Sequence, residues 1–137
     1  MEKSLIEAYR ETEYRITEND LIILRVDEPN SSLDHLLTSR KLTTAAYLTA
    51  WNPYSQPTSL PENEAAQKEL LAEIKALGLN ILHGEGVGLD NSWPPEPSFL
   101  VLAIDRDQAE RLSRKFRQNA FIWLSLGKGP ELALTDV

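Results

Sequence analysis

The chain has 137 residues and a mass of 15.5 kDa, the size of one domain, and its 42% hydrophobic and 26% charged content excludes disordered, collagenous and coiled-coil chains. It has no cysteine, which excludes disulfides, thiolate nucleophiles, iron–sulfur clusters and cysteine-bound zinc. The net charge of −7 has the sign opposite to that of a general nucleic-acid binder; no apolar run approaches the roughly 20 residues that span a bilayer, and the opening MEKSLIEAYRETEYR lacks a signal-peptide core.

Ser4 and Glu7 have capping-box spacing and predict a short helix through about Arg10. Thr12 to Thr17 alternates apolar and polar residues and predicts a strand. Glu18-Asn19-Asp20 is a turn, and Leu21 to Val26 is a second strand, so the two form a hairpin. Asp27 to Asn30 breaks the pattern. Ser31 or Ser32 then caps a helix carrying Leu33, Leu36 and Leu37, with His35 exposed. Thr43 to Trp51 is a third, central strand, followed by a loop bounded by Pro53, Pro57 and Pro61. Ser59 and Glu62 start a helix with Ala66, Leu70, Ile74 and Leu77 on one face, and Gly78 stands at its C-terminal cap.

Leu79 to His83 reads as a short strand and Gly84 to Pro97 as a long loop. Ser98 to Ile104 is almost wholly apolar, a strand buried on both faces. Asp105 and Gln108 open a helix through about Gln118, with Ala109, Leu112 and Phe116 inside. Ala120 to Leu126 is a strand with Trp123 in the core, Gly127 to Pro130 a turn, and Glu131 to Leu134 an edge strand. From Thr43 onward the order is strand, helix, strand, strand, helix, strand. This predicts an α+β single domain over residues 1–137: a ferredoxin-like, split βαβ core with an N-terminal helix and β-hairpin extension.

Three stretches carry a resemblance: Thr49-Ala50-Trp51-Asn52-Pro53, then Glu96-Pro97-Ser98-Phe99-Leu100-Val101, then Phe116 to Trp123, with Asn63 fitting at the start of the middle helix. Together they resemble the bacterial family of domains of unknown function numbered 3293, over about Tyr9 to Trp123. That family has no established activity. The resemblance implies the fold and a bacterial, cytoplasmic setting. One departure is Arg117, where the family often has Gly.

The candidate ligand-binding residues are Thr49, Trp51, Asn52, Asn63, Glu96, Ser98, Gln118 and Asn119, polar or aromatic groups at helix starts and strand ends. Trp51-Asn52 and Glu96 to Ser98 are expected to be neighbours, because antiparallel strands exit and enter at one edge. Gln118-Asn119 is expected at the opposite edge. A purely structural role is the stronger reading of these residues taken alone, since Asn before Pro favours turns and buried amides must find partners. Trp51, Tyr54 and Trp93 flank proline-containing loops, which they pack against the sheet or use as an interaction patch.

His83, Glu85, Asp90 and Glu96 form a second group, read first as solvated charges on a flexible connection and, as the alternative, as one imidazole and three carboxylates suited to a divalent ion. Gly84, Gly86 and Gly88 do not match a phosphate-binding fingerprint. Arg106, Arg111, Arg114, Lys115 and Arg117 mark a third, read as a solvated helix face with Glu110 and Arg114 paired, or as an anion contact. No nucleophile elbow and no cofactor fingerprint is present.

These features point first to a binding or regulatory module taking a small-molecule ligand or a protein. The alternatives are a metal-assisted hydrolase acting on a nucleotide or phosphoester, and a self-assembly domain forming a homodimer through the edge near Leu132.

Overall fold

In a computed structural model, described for residues 2–18, 20–89 and 93–135, the chain forms one seven-stranded antiparallel sheet with helices on both faces. The turn read at Asn19 and the ligand role read for Asp90 lie outside the described residues.

Helix α1 (Lys3–Glu11) leads into β1 (Glu13–Ile16) and β2 (Ile22–Leu24), which pair as the predicted hairpin with Tyr14 opposite Leu24. The α1 cap differs from the sequence reading: the helix starts one residue before Ser4, at Lys3, and Glu2 precedes it without a side-chain cap. Helix α2 (Ser31–Ser39) is capped by Asn30, not by either serine. The Asn30 Oδ1 accepts from the Leu33 amide at 2.9 Å, while its Nδ2 donates to the Ile23 carbonyl and ties the helix start to β2.

Strand β3 (Thr44–Leu48) is central, flanked by β5 (Glu96–Leu102) and β6 (Ala120–Ser125). Helix α3 (Leu60–Ala76) is capped by Ser59, whose Oγ accepts from the Glu62 amide. It ends at Gly78, in a left-handed conformation (φ 76°), with the Gly78 amide on Lys75 and that of Leu79 on Ile74, a Schellman closure. Leu77, read as part of the inner stripe, is exposed, because the cap turns it outward. Strand β4 (Ile81–Val87) is longer than expected and absorbs Gly84 and Gly86, which the sequence reading left in a loop.

Helix α4 (Arg106–Lys115) begins at the predicted Asp105–Gln108 capping box, with both reciprocal bonds made. It stops before the expected Gln118. The Arg117 amide closes on Arg114 and the Gln118 amide on Ser113, a second Schellman motif, with Arg117 in the left-handed position (φ 57°). Strand β7 (Glu131–Leu134) pairs with β6 and is the edge strand expected.

The strand order is β2-β1-β4-β5-β3-β6-β7. Alternation along β3 and β5 splits the core in two. Tyr14, Leu24, Tyr47, Leu82, Leu100 and Ile122 pack with Leu33 and Leu37 of α2 on one face. Ala46, Leu48, Phe99, Val101 and Phe121 pack with α3 and α4 on the other. Leu100 and Val101 are both fully buried, as a strand covered on two faces requires. Trp123, read as core, is half-buried on the α3/α4 face, with the Arg106 guanidinium 5.9 Å over its ring.

Candidate functional site

Because β5 and β6 both run antiparallel to β3, both begin at the edge where β3 ends. The sequence reading set Gln118-Asn119 at the opposite edge. The strand directions instead bring Trp51, Glu96 and Gln118 together, and the Gln118 Nε2 donates to the Trp51 carbonyl at 3.2 Å.

At this edge, on the α2 face of the sheet, lies a cavity of about 160 Å³. Its floor is Tyr47, Ser98 and Ile122, with Gly86 to one side. Helix α1 contributes Leu5, Ala8 and Tyr9, and β1 contributes Tyr14. Trp51, Trp93 and Glu96 stand at the rim. Glu96 is the only charged side chain among the described residues that line it.

Two amides from α3 build the segment that leaves β3. The Asn63 Oδ1 accepts from the Asn52 amide at 2.8 Å, and its Nδ2 donates to the Asn52 Oδ1 at 2.8 Å and to the Thr58 carbonyl. One turn on, the Gln67 Oε1 accepts from the Ala50 amide at 2.9 Å and its Nε2 donates to the Pro97 carbonyl at 3.0 Å, joining β3 to β5. Thr49 Oγ1 donates to that same carbonyl at 2.8 Å. Asn63 and Gln67 are buried and their donors used, which is why polar groups can stand on the inner face of α3.

These bonds hold an unusual backbone. Asn52 (φ 47°), Tyr54 (φ 56°) and Ser55 (φ 60°) all occupy the left-handed region, which is ordinary for Asn and costly for a bulky Tyr. The Tyr54 amide donates to the Arg117 carbonyl at 2.7 Å, so the turn is anchored to the end of α4. Ser55 Oγ meets the Tyr9 hydroxyl at 2.7 Å and accepts from Asn119 Nδ2 at 3.4 Å.

Asn52 Oδ1 accepts from both Asn63 and Thr58, which orients the amide and leaves its Nδ2 to act on Glu96. Burial raises the Glu96 carboxyl from its ordinary 4.5 to about 7, and the Asn52 amide offsets part of that rise. Burial also pushes the Tyr14 and Tyr47 phenols up, so both stay protonated. Their hydroxyls donate to the Tyr9 and Arg15 carbonyls at 2.6 and 2.8 Å.

Six of the eight predicted residues therefore line the cavity: Thr49, Trp51, Asn52, Glu96, Ser98 and Gln118. Asn63 stands behind the wall and positions Asn52. Asn119 binds Ser55 and, through its carbonyl, the Thr135 amide. Gln67, Tyr14, Tyr47 and Tyr9 were not singled out. Gln67 had a legible signal, a second amide one helical turn from Asn63. The tyrosines had none, since each is an unremarkable apolar position of a strand or helix.

The His83 group does not assemble around Glu96. His83 pairs with Phe99 and Glu85 with Pro97, whereas Glu96 pairs with Gly86, so alternation puts His83 and Glu85 on the opposite face. The His83 ring lies edge-on to Phe99 and its Nε2 is 3.7 Å from Glu18. Among the described residues no cluster of three His, Asp or Glu side chains has metal-binding geometry. The basic helix is largely paired: Arg106 with Glu131, Arg114 with Glu110 and Lys115 with Glu73. Among the described residues no helix is long and apolar enough to cross a membrane.

The family model described as "Protein of unknown function (DUF3293)" matches residues 48–121. That stretch runs from the end of β3 to the start of β6 and contains all eight candidate residues. Other residues that line the cavity, Tyr9, Tyr14, Tyr47 and Ile122 among them, lie outside it. No curated protein and no solved structure matches the chain.

Proposed function

Since the chain belongs to the DUF3293 family of proteins of unknown function, whose matched core spans the strand-end site, we propose that this member is a small-molecule-binding module. The observation that carries this reading is the cavity of about 160 Å³, walled by aromatic side chains and holding one carboxyl. A cavity of about 150 Å³ accommodates benzene, so the expected ligand has on the order of six to ten non-hydrogen atoms. The left-handed angles at Asn52, Tyr54 and Ser55 support the reading, because backbone strain held by surrounding bonds concentrates at ligand sites. Among the described residues no geometric feature favours a metal-assisted hydrolase, and the edge strands β2 and β7, only three and four residues long, offer little backbone for self-assembly through an edge.

The same reading takes residues 1–137 as one domain in a bacterial, cytoplasmic protein. Its core from β3 to β6 is ferredoxin-like, supported by the antiparallel order β4-β5-β3-β6 with α3 and α4 on one face.

The test is a thermal-shift screen of aromatic fragments of that size, repeated on Gly88→Phe. Gly88 lines the cavity, and a Cβ built there meets nothing within 4 Å, so the larger side chain narrows the entrance without a clash at its root. Binders are expected to shift the melting temperature of the native chain and to lose most of that shift in Gly88→Phe. A screen with no shifts, or shifts that survive the variant, overturns the reading.

A further inference from the structure

We propose that the ligand of this cavity is a small organic cation, an aryl- or alkylammonium group seated against Glu96 with its apolar part between Trp51 and Trp93. This rests on the small-molecule reading above and names the ligand class.

The argument begins with charge. Among the described residues that line the cavity there is no Lys, Arg or His, and Glu96 is the one acidic group. Among the described residues the ion pairs leave Glu96 out: they join Arg10, Arg15, Arg25, Arg106, Arg114, Lys115 and His83 to other carboxylates. Glu96 is drawn into the wall by its place at the first position of β5, opposite Gly86, where Gly offers no side chain to fill the space. A partly buried carboxyl whose one stabilising amide is Asn52 gains most from a ligand that brings a positive charge.

The walls fit the same class. Trp51, Trp93, Tyr14 and Tyr47 all line the cavity, and an ammonium that meets an aromatic face there is held by the ring quadrupole as well as by the carboxylate. An anionic ligand would meet Glu96 with no cation to offset it. A neutral ligand would leave the carboxyl as it is. The protein's overall charge of −7 also favours approach of a cation.

The experiment uses three probes of one shape and different charge: benzylamine, benzyl alcohol and benzoate. Each is titrated by calorimetry into the native chain and into Glu96→Gln at pH 8. Benzylamine is expected to bind the native chain at least about tenfold more tightly than benzyl alcohol, with benzoate weakest. In Glu96→Gln the preference for the amine should vanish while the alcohol still binds, which shows that the variant is folded and its cavity intact. Equal or tighter binding of the alcohol or benzoate overturns the cation assignment and leaves the cavity reading standing. Binding of none of the three, together with an empty fragment screen, overturns both.

Discussion

Glu96 has a consequence that can be measured without any ligand. Its carboxyl titrates near 4.5 in the unfolded chain and at about 7 in the folded one. Between those values the folded protein holds the extra proton, so stability falls as pH rises through that window, and the full cost stands above pH 7. Gln at this position carries no charge to desolvate and still accepts from the Asn52 amide. Glu96→Gln is therefore expected to be more stable than the native chain at pH 8 by on the order of 1–3 kcal/mol, and nearly equal to it at pH 4. Melting curves at pH 4, 6 and 8 check this; an advantage that does not change with pH would trace to packing rather than to the buried charge. Gly84 shows a second constraint at single-residue scale. A Cβ built there lies 2.1 Å from the Arg15 carbonyl oxygen and 2.7 Å from the Tyr47 hydroxyl. Those two atoms are themselves hydrogen-bonded, so neither can yield cheaply. Gly84→Ala is expected to cost about 3 kcal/mol, at the upper end of overpacking effects, and a urea melt reads it directly.

The elements were legible where their signals are local. Ser59, Asp105 with Gln108, and Gly78 each sit where a helix terminus needs them, and each makes the bond its position predicts. Ser31 and Ser32 have the same chemistry and yield to Asn30, whose amide bonds β2 and the helix start at once, while Ser4 falls inside a helix that starts at Lys3 with no side-chain cap. Gly84 and Gly86 looked like loop residues because three glycines at alternate positions carry no apolar period. Their reason lies in another strand, where Tyr47 crosses over Gly84 to reach the Arg15 carbonyl. Arg117 is the converse case. The family resemblance marks Arg117 as standing where a Gly is expected, but the meaning of that position needed the left-handed angle at the α4 terminus. Removing the Cβ there should relieve that strain, so Arg117→Gly is expected to stabilise the protein by about 0.5–1 kcal/mol, raising the melting temperature by a few degrees. A fall in melting temperature would mean that contacts of the Arg117 side chain outweigh its backbone cost.

The whole molecule divides into a rigid sheet and a lightly held cover. At the centre, β3 and β5 carry buried residues on both faces and lie between strands on either side, so their amides should exchange only on global unfolding. Helix α1 has no fully buried residue. Its described ties include Tyr9 to Ser55, the Tyr14 hydroxyl to the Tyr9 carbonyl, the Thr12 hydroxyl to the Ala8 carbonyl, and the exposed pair Arg10–Asp27 at 2.7 Å. Yet Leu5, Ala8 and Tyr9 form one wall of the cavity. A weakly held element over a binding site opens locally, and a ligand that contacts it holds it shut. Hydrogen exchange should therefore find the α1 amides protected orders of magnitude less than those of Ala46, Leu100 and Val101 in the free protein. With a ligand at about 100 times its dissociation constant, α1 protection should rise by up to about a hundredfold, provided that opening α1 releases the ligand. Protection that rises in β3 to β6 but not in α1 would mean that the ligand enters without engaging the helix. The cavity's specificity would then be set within residues 48–121, the stretch matched by the family model, rather than by the N-terminal elements outside it.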